Sequence, residues 1–375
     1  MGTIVDLFCG CGGFSLGAEL AGFRSLAAID IESKLQSAYR ANFREANAIT
    51  ADVMDLDKST WHRLLGKQKP DGLIGGPPCQ GFSVIGKRDL NDPRNSLIGQ
   101  FFRHVALLQP KFFIMENVEG LLAEETRPFL ESAMNELSGN YTVFEPFIVA
   151  APNFGAPTRR RRVVVVGIDS SELGSFVQKD FEGNGASFRV NVKDAIADLP
   201  RPIAQGTGNE ALTWARYPRI RSDKISSYAR LMRSPPPLSL ASDESRARYR
   251  QGLVSGLAET KHSPAIAARY AGIAGGKVDP ITKSYRLEWN GIAPTLRAGT
   301  GAEKGSFQAV RPLHPSEGRV ITVREAARLQ GFPDWFTFHP TKWHSFRMIG
   351  NSVSPMVAFG ILSPFAERLA FQTAA

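Results

Sequence analysis

Residues 75–83 read GGPPCQGFS, with Cys79 directly behind Pro77 and Pro78. Two prolines fix φ and remove two N–H donors, so this stretch is stiff and extended and cannot be the middle of a helix. Gly75, Gly76 and Gly81 let other groups come close to the backbone. A thiol held on such a turn has the setting of a nucleophile. A packing role competes with that reading, because free cysteine is among the most buried residue types. Glu116, in MENV (115–118), is a carboxyl that could act as the acid beside that thiol. TRRRRVVVVG (158–167) adds four arginines ahead of an apolar run. On an alternating strand Arg160 and Arg162 share one face, and Arg159 and Arg161 the other. The apolar run must be buried, which aims one arginine pair into the site; a solvated basic surface is the alternative. None of the six histidines has a motif-like setting, so Cys–His hydrolysis is not indicated.

DLFCGCGGFSLG (6–17) reads as a strand, a glycine turn and a helix start. Glycines there admit a ligand to the backbone, and the helix N-terminus offers free N–H groups. It is not the strict dinucleotide fingerprint, and glycine-rich first turns are common in α/β proteins. Asp30 ends the second apolar run, eighteen residues after Gly12, where an acid can bind ribose hydroxyls. Asp52 is placed at the end of the third. A plain turn carboxylate is the alternative at each. Together the glycine turn and the two acids point to a nucleoside-containing cofactor.

These residues need elements to carry them. TIVDLF (3–8), SLAAID (25–30), AITAD, DGLIGG, FFIMEN and VVVVGI read as strands. GFSLGAELAG (13–22), SKLQSAYRANF (33–43) and NSLIGQFFRHVALLQ (95–109) read as helices between them. Such alternation predicts an α/β fold, a doubly wound, mostly parallel sheet covered on both faces. The glycine turn, both acids, Cys79 and Glu116 then fall on one edge, where ligands of open α/β sheets bind. After residue 169 the chain turns Gly-, Pro-, Ser- and Arg-rich, with brief periodic runs such as VKDAIADL (192–199) and a breaker at SPPPLS (234–239). This predicts a second, smaller, loop-rich domain. Helical pattern returns at TVREAARLQ (322–330) and in the amphipathic tail PMVAFGILSPFAERLAF. The expected division is 1–185 with 340–375, then 186–320, with 321–339 as a hinge.

The chain has 375 residues, 43% of them hydrophobic, ample for a large core. No apolar run is expected to span a bilayer, and the N-terminus lacks the form of a signal peptide. Three cysteines are too few for a disulfide framework and suit a reducing cytoplasm. Cys9 and Cys11 are spaced C-x-C without a nearby His, which does not read as a zinc site, and no metal is expected. The net charge is +9. Residues 186–320 hold 21 Lys/Arg against 11 Asp/Glu, so the whole excess lies in that segment. A basic excess confined to one region points to a polyanion, nucleic acid foremost.

In this order the motifs resemble those of the C5-cytosine DNA methyltransferases, a prokaryotic restriction-modification or orphan type. DLFCGCGG is similar to the cofactor motif of that family, GGPPCQGFS to its nucleophile loop, ENV to its glutamate motif and TRRRR to its arginine motif. REAARLQGFPD (324–334) and GNSVSP (350–355) are similar to its two last motifs. Thr158 stands where the family usually has Gln. The basic segment falls where the family keeps its variable target-recognition domain.

The resemblance implies S-adenosylmethionine as cofactor, with S-adenosylhomocysteine as product, and double-stranded DNA as partner. It implies that Cys79 adds to C6 of a flipped-out cytosine, that Glu116 binds N3 and N4, and that Arg162, with Arg160, fixes O2 and the surrounding loop. It places Phe8 against the adenine, Gly10, Cys11 and Gly13 along the cofactor, Asp30 on the ribose, and Asp52 with Val53 at the adenine edge. Pro78, Leu97, Asn351 and Val353 complete that pocket. Ile31 stands where the family often has a stacking aromatic. The loop from Gln80 to Arg94 would close over DNA, with Ser83, Lys87 and Arg94 on phosphates and Ile85 filling the gap in the duplex. The arginines of 186–320 would mostly bind phosphate, with Arg297 and Thr300 in PTLRAGTGAEKGSF (294–307) reading bases. A monomer acting in the cytoplasm, near the nucleoid, is expected, with a separate endonuclease as a partner in function. A tRNA cytosine methyltransferase is disfavoured by the long recognition segment and the lack of a Cys-Phe-Thr element. Intact Cys79, Glu116 and Arg162 disfavour an inactive DNA-binding homologue. A flavin or nicotinamide enzyme would leave the Pro-Pro-Cys loop unexplained.

Overall fold

The computed structural model describes residues 1–78, 96–135, 137, 140–183, 189–204, 213–298 and 311–374. Five strands form its parallel centre: β1 (Thr3–Leu7), β2 (Arg24–Asp30), β3 (Asn47–Thr50), β4 (Gly72–Gly75) and β5 (Phe112–Asn117). Three more extend it: β6 (Tyr141–Val143), β7 (Phe147–Ala150) and β8 (Arg161–Asp169). The strand order is β3-β2-β1-β4-β5-β8-β6, with β7 also on β8. β8 runs antiparallel to β5, and β6 and β7 antiparallel to β8, so the sheet is mixed at that end. β5 is buried along its whole length: its apolar start, Phe112–Met115, packs in the core, and its polar end, Glu116 and Asn117, is buried as well.

The first helices are α1 (Gly13–Leu20), α2 (Ser33–Asn42), α3 (Lys58–Leu65), α4 (Ser96–Leu108) and α5 (Arg127–Met134). Trp61 of α3 and Phe101, Phe102 and Val105 of α4 cover one sheet face. The other face carries Phe14 and Ala18 of α1 together with the C-terminal helix. Asp52 lies two residues beyond β3 and not at its end as expected. Its carboxylate caps the short 3-10 turn Val53–Asp55 by accepting from the Met54 N–H at 2.9 Å.

Beyond β8 the elements are short: α6 (Ser170–Leu173), α7 (Val192–Ile196), β9 (Trp214–Arg216), α8 (Ser227–Met232), α9 (Asp243–Arg250), β10 (Leu253–Ser255) and α10 (Pro264–Ala271). Side-chain caps start α8 to α10, each from the serine just before the helix. β9 and β10 form a separate antiparallel pair. Then come α11 (Val323–Gln330), α12 (Lys342–Asn351) and α13 (Pro355–Ala374). A capping box between Thr322 and Glu325 opens α11, and Gly331 closes it in the left-handed region.

A third apolar cluster joins Leu35 and Tyr39 of α2 to Val192, Ile196, Tyr228, Phe332 and Ile349, so the basic segment shares a core with the α/β layer. The stretch 342–372 reaches the length and apolarity of a membrane span, contrary to the sequence expectation. It is two helices, and α13 packs its Leu362 and Phe365 wholly into the core, which accounts for its apolar composition.

Candidate active site

The chain runs β1, β2, β3 toward one edge and returns to place β4 on the other side of β1. This reversal opens a crevice between the carboxyl ends of β1 and β4. The glycine turn follows β1, and the Pro-Pro loop follows β4, so both motifs flank that crevice.

On the β1 side Phe8 has φ 60° and Gly10 φ 54°. A Cβ on Gly10 would meet no atom within 4 Å, so the turn is open to a ligand there. Gly13 is the opposite case: its Cβ would lie 1.9 Å from Ser352 Oγ. Only glycine at 13 lets the Ser352–Val353 backbone close on the turn. Cys11 is buried, and its Sγ lies 3.6 Å from the Met348 carbonyl. Burial pushes its thiol up to about 12, which keeps it protonated and makes it a packing group. Asp30 accepts from the Gly10 N–H and the Glu32 N–H, both at 2.8 Å. Burial raises its pKa, and the bonds from the Glu32 and Gly10 N–H groups, with Arg347, act against that rise. Each carboxylate oxygen keeps a further lone pair for a ribose hydroxyl. Ile31 is exposed, Val53 is buried, and Phe8, Leu97 and Pro78 are half-buried. An open glycine turn beside an acid with spare acceptor capacity fits a nucleoside cofactor.

On the β4 side Glu116 sits near the end of β5, opposite Val164 of β8. Arg162 Nε lies 3.0 Å from Glu116 Oε1, and Arg160 Nη2 lies 3.7 Å from the same oxygen. Arg160 also donates to the Gly350 carbonyl at 2.9 Å and to the Asn351 carbonyl at 3.5 Å. Burial, reinforced by Arg162, lowers the Arg160 pKa to about 9, and Glu116 acts against that; it stays cationic at neutral pH. Arg161 turns outward to Glu119 at 2.9 Å, and Arg159 is exposed, as strand alternation requires. Glu116 Oε1 and Arg160 Nε lack a well-aligned hydrogen bond although buried. They face a small cleft also lined by Arg162, Val149, Val353 and Ser354. The cleft therefore brings a carboxylate and two guanidinium groups together at one place.

Val353, placed with the cofactor residues by sequence, thus borders the Glu116 cleft as well. Asn117 was missed. Its Nδ2 donates to the Pro77 carbonyl at 3.2 Å, and its Oδ1 accepts from the Val118 N–H at 2.8 Å. It ties the end of β5 to the Pro-Pro loop, and Asn next to a candidate acid was the available signal. Ser352 and Ser354 were missed too; both lie in GNSVSP. Cys79, Gln80, Ser83, Ile85, Lys87, Arg94 and Thr300 lie outside the described residues.

Thr158 is buried, and its hydroxyl donates to the Pro294 carbonyl at 3.4 Å. The Arg159 N–H donates to the Ala293 carbonyl at 2.8 Å, and the Thr295 hydroxyl to the Arg159 carbonyl at 3.2 Å. Residues 293–297 therefore lie along the arginine segment, with Arg297 exposed. Some arginines of 186–320 are engaged within the protein. Arg233 pairs with Asp198, Arg269 with Asp279 and Arg319 with Glu325, while Arg286 donates to the Tyr270 and Glu317 carbonyls. Several are thus held by the protein itself, whereas Arg216, Arg219 and Arg250 are exposed.

The family model for C-5 cytosine-specific DNA methylase matches residues 2–366. The chain is 40% identical over 363 residues to the Type II methyltransferase M.XorII of Xanthomonas oryzae pv. oryzae, covering 94% of this chain and 82% of that one. It is 32% identical to the Type II methyltransferase M.DdeI of Desulfomicrobium norvegicum, covering 98% and 88%. Its structure is similar, with a TM-score of 0.88 and 38% identity, to a protein described as a DNA modification methyltransferase encoded within a prophage (E. coli), covering 99% of this chain and 100% of that one. The S. pombe Dnmt2 methyltransferase shares the fold at a TM-score of 0.58 and 15% identity, covering 99% and 100%.

Proposed function

The chain belongs to the C-5 cytosine-specific DNA methylase family and is a DNA (cytosine-5-)-methyltransferase, and from that premise we propose how its own residues carry the reaction. The substrate is a cytosine in a specific double-stranded sequence, flipped out of the stack because its C5 and C6 cannot be reached inside it. Cys79, as thiolate, bonds to C6, and the displaced electron pair makes C5 nucleophilic. Glu116 hydrogen-bonds N3 and N4 and stabilises that adduct, while Arg162, beside Arg160, holds O2. S-adenosylmethionine, when bound, supplies the methyl group that C5 takes. Loss of the C5 proton re-forms the C5–C6 double bond and expels Cys79. A free thiol of pKa ~8.5 is only slightly ionised at neutral pH, so Cys79 needs local help to act as thiolate. The stiff Pro-Pro turn, tied to Asn117, positions the thiol before the reaction begins.

In this reading Phe8, Gly10, Asp30, Asp52 and Val53 hold the nucleoside of the cofactor. Residues 186–320 form the target-recognition domain. It joins the catalytic domain, residues 1–185 with 340–375, through the hinge 321–339. The protein acts as a monomer in the cytoplasm, with any cognate endonuclease acting separately. The observation that supports the reading most is the placement of Glu116 between Arg162 and the Pro-Pro loop. A Cβ at Gly76 would stand 3.5 Å from Glu116 Oε2, three residues before Cys79. Base-resolution cytosine methylation sequencing of DNA from a methylation-free host expressing the chain tests it, with Cys79→Ser as control. Methylation in one short sequence context, absent in the control, is expected. Unmethylated DNA from folded, cofactor-binding protein would overturn the reading.

A further inference from the structure

We propose that the buried chain Trp61–His104–Val53 positions the turn that receives the cofactor's adenine, with His104 as its central positioning residue. This rests on the reading of Asp52 and Val53 as the adenine edge. His104 lies in α4 and is wholly buried, and Trp61 of α3 is nearly so. Trp61 Nε1 lies 3.0 Å from His104 Nδ1, and His104 Nε2 lies 2.8 Å from the Val53 carbonyl. An indole N–H only donates, so Nδ1 accepts; Nε2 then carries the proton and donates to the carbonyl. The two rings meet edge to face, 5.6 Å apart at 82°, which fits that one tautomer. Burial lowers the His104 pKa to about 4, in keeping with a neutral ring at physiological pH.

An imidazole buried for packing alone would be replaceable by an apolar side chain, since burying polar nitrogens costs free energy unless both are bonded. Here both are bonded, and one bond ends on a residue of the candidate adenine site. The turn Val53–Asp55 is a single 3-10 turn, whose own hydrogen-bond geometry is weak. External bonds therefore decide its shape. α4 supplies a second one: Arg103 donates to the Leu56 carbonyl at 3.1 Å. The helix thus holds the turn at both ends, at Val53 and at Leu56. The same helix carries Leu97 in its first turn and begins directly after the Cys79 loop in sequence. His104 is accordingly placed to link the cofactor turn to the helix that follows the nucleophile.

The test is calorimetric binding of S-adenosylhomocysteine to the full chain, with steady-state methylation of DNA measured in parallel. His104→Phe keeps an aromatic ring and removes both bonds. The affinity is expected to fall about tenfold, while kcat at saturating cofactor stays within about twofold. His104→Gln can accept from Trp61 and donate to Val53, and is expected to restore binding to within about twofold. A folded His104→Phe variant that binds like the wild type would overturn the proposal, even if its thermal midpoint is lower. If His104→Phe does not fold, Trp61→Phe, which removes only the bond to Nδ1, carries the test, and unchanged affinity there overturns the proposal. Asp52→Ala separates the two readings. If it leaves affinity unchanged while His104→Phe weakens it, the clamp stands and the adenine-edge assignment fails.

Discussion

Asp6 is the one carboxyl of the glycine-turn motif, residues 6–17, and it is buried. Ser15 donates to it at 2.6 Å, and Tyr39 donates to Ser15 at 3.0 Å. Burial raises its pKa to about 7, opposed by the bonds from Ser15 and aided by Asp30. The folded protein therefore holds a proton that the unfolded chain has released above about pH 4. The stability this proton brings is complete below about pH 4 and is lost as pH rises through 7. Asp6→Asn keeps the shape without the charge. Wild-type stability should fall relative to Asp6→Asn from pH 4 to 8, by on the order of a few kcal/mol. Thermal unfolding of both proteins across that range checks this, and a constant difference would refute it. At this scale the sequence was most legible where chemistry is local. Alternation alone separated Arg160 and Arg162 from Arg159 and Arg161, and the structure places the first pair at Glu116. Ser352 and His104 were not legible, because each acts on a glycine or a backbone group brought near only by folding.

Among the elements, α11 shows what a buried charge requires. Arg328 is wholly buried and bonds Asp334 twice at 2.6 Å, and Asp198 at 3.1 and 3.2 Å. Burial alone would lower its pKa; Asp334 and Asp198 together hold it well above the ordinary arginine value. Asp198 precedes the basic segment's loops, and Asp334 follows α11, so one guanidinium ties three stretches of chain together. Removing one partner of such a group leaves buried carboxylates uncompensated, which is far more damaging than losing a surface pair. Arg328→Met should cost about 3–5 kcal/mol of stability, read by urea unfolding. A loss under about 1 kcal/mol would mean that Arg233 and Tyr217 suffice to hold the two acids. The helix itself was legible, since Thr322 and Glu325 have the spacing of a capping box and Gly331 that of a terminator. The helices α8 to α10 were not, because each is short and sits in a stretch rich in Gly, Pro and Ser.

For the whole molecule, net charge overstates what is available to DNA. The basic segment carries a net +10, yet Arg233, Arg269, Arg286 and Arg319 are engaged within the protein. Arg216, Arg219 and Arg250 are exposed. The salt dependence of duplex binding counts only cations that displace counterions. Arg216→Ala should reduce the slope of log affinity against log salt by about one. Arg286→Met should leave that slope unchanged and lower stability instead. Titrations of a labelled duplex at several salt concentrations check both, and a slope change in Arg286→Met would reverse the assignment. The sequence by itself determined the order of the motifs, the alternation of strand and helix, and the single edge of the sheet on which Glu116 and the glycine turn lie. Those follow from residue periodicity and from turn chemistry, which act over a few positions. Only the tertiary structure decided that β8 runs antiparallel beside β5, that Ser352 closes on Gly13, and which arginines are engaged by carboxylates. Those depend on groups far apart in the chain, and their pairing is set by packing that no local pattern encodes.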